Sequence, residues 1–131
     1  MNRSPSVALV VLAVLATGCG AAAEPDARAT ANRFVTAVGV ADQSTACGLL
    51  AERAARMLTE QSGQSCTRAL ARLGLPHEPV RELASWGGEA RARSAADTLF
   101  LHEFPQGWRI TGAGCRSLGE NRPYACAVGG G

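Results

Sequence analysis

Lysine is missing from this chain altogether, so all 13 basic residues are arginine. A GC-rich genome is the plain reason, because arginine and alanine codons are GC-rich. Charge of one sign is missing too: the formal net charge is +2 over 131 residues. It falls to about +1 if Arg3 is lost, and no basic tract breaks the alternation of signs, which argues against nucleic acid as a partner. Aromatics are scarce, with two Trp, one Tyr and three Phe, so the core must be built largely from alanine and leucine. There are only two histidines, no CxxC pair, and neither histidine has ligand-type spacing to a cysteine. That leaves little basis for a metal site, although a zinc site completed by His77 and His102 is the competing use of the cysteines. A Gly-rich phosphate loop, a GxSxG elbow, an HExxH helix and a paired-carboxylate signature are all missing. No cofactor is implied.

The one long apolar run, residues 7–16, is too short for a bilayer core of about 30 Å, which takes about 20 residues as a helix. It follows Arg3 and ends in Leu15, Ala16, Thr17, Gly18 and Cys19, read LATGC. A positive start, a short apolar core and small residues before a cysteine define a lipoprotein signal peptide with a lipobox. One departure is that Ala16 stands three before the cysteine, where leucine is commonest. On this reading residues 1–18 are removed, and Cys19 becomes a diacylglyceryl cysteine in the membrane. Residues 19–25 are the lipidated cysteine and tether, and residues 26–131 form a single domain. The expected location is the extracytoplasmic face of the cell membrane, lipid-anchored. The remaining chain is long enough for one modest core.

Pro25 suits a first helical turn, where its missing N–H has no partner to lose. Glu24 and Asp26 complement the dipole there. Ala27, Ala31, Phe34, Val38 and Ala41 recur at helical spacing and predict a first helix with one buried stripe. Cap-type residues 42–45 open a second, whose apolar positions are Ala46, Leu49, Leu50, Ala54, Met57 and Leu58. Ser62 and Gly63 break it. A third helix runs from about Ser65 to Leu73 and stops at Gly74 and Pro76.

After Pro79 the period changes to two. Val80, Glu82, Ala84 and Trp86 share one phase of a strand, and Gly87–Gly88 make a hairpin turn. Glu89, Arg91 and Arg93 then face one way, with Ala90, Ala92 and Ser94 the other. The stretch DTLFLHEF, residues 97–104, predicts a central strand covered on both faces. Pro105, Gln106 and Gly107 turn the chain into residues 108–113. Residues 124–128 predict a short edge strand before a frayed glycine tail. Helices first and an antiparallel meander after give an α+β fold.

With Cys19 acylated, Cys47, Cys66, Cys115 and Cys126 remain, an even number in an exported chain. Of three pairings, Cys47–Cys66 with Cys115–Cys126 is favoured. The first would staple the second helix to the third, and the second would tie the main strand to the terminal segment around Pro123. Each would contribute about 3 kcal/mol on chain-entropy grounds, enough to compensate for an aromatic-poor core.

The helical segments RFVTAV, ACGLLAERAARML and SCTRALARLGL, followed by DTLFLHEFPQGWRITGAGC and RPYAC, resemble small secreted lipoproteins of high-GC Gram-positive bacteria. The similarity covers about Ala27 to Val128. It implies a reduced NTF2-like cone, in which helices pack on a curved antiparallel sheet around a pocket, with the same compartment and cysteine pairing. It implies no defined activity, and no catalytic motif carries over residue by residue.

The function expected is therefore a non-enzymatic binding or accessory module of the cell envelope, with an envelope protein as a possible partner. A first alternative is a small-molecule-binding protein whose pocket is lined by Trp86, Phe100, His102, Phe104 and Trp108. Trp86, Phe104 and Trp108 are read first as core, because the domain has few other large side chains. A second alternative is a pocket enzyme in which His102 acts as base and Asp97 orients it. Arg91, Arg93 and Arg109 form a candidate basic strip toward anionic headgroups, weighed against an ordinary mixed-charge sheet face.

Overall fold

A computed structural model of the chain describes residues 23–130. The lipobox, the cleavage site and the first part of the tether lie outside the described residues. Helix α1 spans Ala23–Gly39, with Glu24, Pro25 and Asp26 in its first turn. Residues 23–25, expected in the tether, are thus helical. Ala27, Ala31, Phe34, Val35 and Ala37 are its buried face. Ala41 does not extend that face: it is exposed, past the helix end, with a left-handed φ of 58°. The chain turns there because Asp42 N donates to Ala37 O at 2.8 Å, and the Asp42 carboxylate then accepts from Thr45 N at 3.1 Å to cap the next helix.

The second expected helix is two. Helix α2, Gln43–Leu49, and helix α3, Glu52–Ser62, are separated by Leu50 and Ala51, both extended. Ala51 N donates to Ile110 O at 2.7 Å, and Leu50 bridges Ile110 in parallel. The apolar spacing fits one helix or two equally well. A strand edge elsewhere in the chain supplies the partner that makes the break favourable. Helix α4, Cys66–Leu73, is as expected, capped by Ser65 on Arg68 N.

Strands β1 (Glu82–Trp86), β2 (Glu89–Arg93), β3 (Thr98–Phe104) and β4 (Gly107–Ser117) form an antiparallel meander. Two short strands, β5 (Tyr124–Ala125) and β6 (Val128–Gly129), pair with the far edge of β4. Two register slips between β3 and β4, around Phe100, bend the sheet. On one face Ala90, Ala92, Leu99, Leu101, Trp108 and Ile110 are buried in one core with the α1 residues. The other face of β3 is not covered in the same way, because Phe100, His102 and Phe104 are only half-buried. The strand is central, but the expected double covering is corrected: α1 packs tightly on the Leu99–Leu101 side, whereas on the other side α3 stands off across an open space.

The terminal segment also differs from expectation. Residues 124–128 make two pairings rather than one edge strand, with Cys126 between them. Gly129 and Gly130 stay tied to β4 instead of fraying. Gly129 pairs with Gly112, and Gly130 N donates to Thr111 O at 3.3 Å. Gly129 has φ 59°, and a Cβ there would collide with Thr111 O, so only glycine fits.

Both favoured disulfides are present. Cys47–Cys66 joins α2 to the start of α4, and Cys115–Cys126 joins β4 to the loop between β5 and β6. All four cysteines are thereby withdrawn from metal binding, which removes the zinc alternative. Among the described residues no helix is long and apolar enough to cross a membrane.

Candidate ligand cavity

Alternation along β3 places Leu99 and Leu101 in the core and Phe100, His102 and Phe104 on the opposite face. Helical period along α3 brings Arg53, Arg56 and Met57 to one side. Between these two surfaces lies a cavity of about 820 Å³, closed along a third side by residues 123–130. That volume falls within the range of small-molecule sites. Its floor is aromatic. Phe100 meets Tyr124 edge-to-face at 5.0 Å between ring centroids, and His102 meets Phe104 in the same way at 4.7 Å. Tyr124 is held there by the β4–β5 pairing and the neighbouring Cys115–Cys126 bond.

Polar groups line the rim. Glu89, at the start of β2, is the cross-strand neighbour of His102. The His102 Nδ1–H donates to Glu89 Oε1 at 2.5 Å, fixing the ring and leaving Nε2 as its free nitrogen. On the α3 wall, Arg56 pairs with Glu52 at 3.1 Å. Arg53 has no carboxylate within ion-pair distance among the described residues.

Of the five aromatic and histidine side chains expected in a pocket, Phe100, His102 and Phe104 are brought together. Trp86 and Trp108 are not. Trp86 is 52% exposed beside the β1–β2 hairpin, while Trp108 is 5% exposed on the core side of the sheet. Odd–even position decides this for Trp108, the cross-strand partner of Glu103 and not of His102; Trp86 shares the phase of Glu89 and His102 but sits on the edge strand, two strands from β3.

Asp97 does not orient His102. It sits at the start of β3, where its carboxylate accepts from Ser94 Oγ at 3.0 Å and Gly114 N at 3.1 Å. Its bonds join the turn before β3 to the β4 backbone. Burial pushes its carboxyl above the ordinary range, the two hydrogen bonds oppose this, and Glu78 adds a smaller upward push. The orienting role belongs to Glu89. The pairing of Glu89 with His102 follows from the β2–β3 register, which the alternation of residues 89–94 and 97–104 defines once the intervening turn is placed. Tyr124 and Arg53 carried no comparable signal.

Arg91, Arg93 and Arg109 do share one sheet face, but as a mixed strip. Glu82 pairs with Arg93 at 3.4 Å, and Glu89 lies in the same row. Among the described residues no group of three or more His, Cys, Asp or Glu side chains is placed to hold a metal ion. No family model, no curated protein and no solved structure matches the chain.

Proposed function

We propose that the chain is a membrane-anchored extracytoplasmic lipoprotein, a non-enzymatic binding module of the cell envelope that holds a small molecule by its apolar body. The observation that carries this reading is the aromatic-floored cavity between α3 and β3. Two disulfides in a domain of this size support an oxidising compartment. The LATGC stretch supports the anchor, since two acyl chains on one cysteine give the two-signal attachment that one chain lacks. A reduced NTF2-like relationship is supported by four helices preceding a curved antiparallel meander, with a helix forming one wall of the cavity. Against a simple cone, α1 packs on the sheet face opposite to the cavity. An envelope protein partner fits the same anchored geometry.

The test is extraction of the protein from its own membranes without denaturation, followed by solvent release and mass spectrometry of what it holds. A stoichiometric small molecule, lost when Thr111→Phe fills the cavity, supports the reading. An empty protein that also takes up no N-phenyl-1-naphthylamine contradicts it.

The Glu89–His102 pair favours a second reading, a pocket enzyme using His102 Nε2 as acid or base with Glu89, not Asp97, as the positioning residue. A bound compound whose mass changes on incubation, but not in His102→Ala, would favour the enzyme. An unchanged compound favours the binding module.

A further inference from the structure

We infer that the cavity is built for an amphipathic small-molecule anion, with a flat apolar body on the aromatic floor and an acidic group at Arg53. This rests on the cavity being a ligand site and names its ligand class. Phe100, Phe104 and Tyr124 offer aromatic rings on one side of the cavity and Met57 an apolar side chain on the α3 wall, a lining that suits a planar apolar body. The sign of the ligand follows from which charges around the cavity are already matched. Glu89 is committed to His102, and Glu52 to Arg56. Among the described residues Arg53 alone of the lining charges has no counter-charge. A cationic ligand would meet two arginines and two carboxylates already occupied. An anion completes the set, and a guanidinium offers it a two-pronged donor.

The matched probes are N-phenyl-1-naphthylamine and 1-anilinonaphthalene-8-sulfonate, which share one two-ring body and differ by a sulfonate. The mature lipidated protein is held in phosphatidylcholine vesicles. Dye uptake is measured by equilibrium dialysis against protein-free vesicles. Both dyes are expected to bind saturably, and Thr111→Phe to abolish both. Arg53→Gln is expected to weaken the sulfonate about tenfold and the neutral dye less than about twofold. Arg72→Gln, on α4 and outside the cavity, is expected to change neither. If the neutral dye binds but Arg53→Gln leaves the sulfonate unchanged, or weakens both dyes alike, the anion inference is wrong and the cavity reading stands. If neither dye binds, both are wrong.

Discussion

Glu89 and His102 face each other across the β2–β3 ladder, with His102 Nδ1 2.5 Å from Glu89 Oε1. Both side chains are half-exposed, so the pair contributes little to stability, below about 1 kcal/mol. Its consequence is orientation. Glu89→Ala should leave the melting temperature almost unchanged while releasing the ring from its Nδ1–H tautomer. Long-range ¹H–¹⁵N spectra of the imidazole check this, and an identical tautomer signature in both proteins would contradict it.

Adjacent residues of β3 should behave very differently. Leu101 is fully buried in the shared core, so Leu101→Ala should cost about 2–5 kcal/mol. His102→Ala, one residue on but facing the cavity, should cost less than about 1 kcal/mol. Denaturant unfolding of the two variants measures the contrast. Equal losses would mean that the two faces of the strand are covered alike.

Asp97 gives a pH signature. Its folded carboxyl titrates above the ordinary value of 3.8, chiefly through burial. Between those two values the folded protein keeps a proton that the unfolded chain has lost. This group's contribution to stability is therefore greatest below the unfolded value. It declines as pH rises through the folded one, then levels off. Asp97→Asn removes that decline. Melting temperatures taken from about pH 4 upward should fall less steeply in the variant than in the parent. Parallel curves would rule the contribution out.

Each disulfide closes a loop with a sequence separation of 19 or 11 residues. Replacing either pair with alanine should cost about 3 kcal/mol, a melting shift of roughly 10–20 °C in a domain of this size. Denatured mature protein should show no free thiols. Four free thiols would refute both bonds.

Gly129→Ala should break the β4–β6 pairing, because its new Cβ would collide with Thr111 O. The expected cost is about 1–3 kcal/mol, with faster amide exchange at Gly130 and loosening of the cavity side formed by residues 123–130. Unchanged exchange would show that the terminal strand tolerates a side chain.

Much of the fold was legible from local chemistry. Ser65 and Gly74 bound α4, Gly87–Gly88 make the hairpin, and cysteine spacing indicated both bonds. What was hidden depended on residues distant in sequence. The break at Leu50–Ala51 needs Ile110, and the pairing of Gly129 and Gly130 needs Thr111 and Gly112. Strand alternation correctly grouped Phe100, His102 and Phe104. It also placed Ala90 and Ala92 opposite Glu89, yet the helix layer covers only one face of β3. Aromatic character alone points Trp108 to the pocket, although its strand phase puts it in the core. Residue type alone offers Asp97 as a partner for His102, while register selects Glu89.

The central claim is that one cavity, between α3 and the uncovered face of β3, holds the ligand. Backbone amide shift mapping tests it most directly, using the isotope-labelled mature protein in lipid nanodiscs and the compound recovered from its own membranes. The account predicts shifts concentrated at residues 51–57, 100–104, 111 and 123–130. Shifts concentrated on α1 or around Trp86, or none at saturating compound, would contradict it.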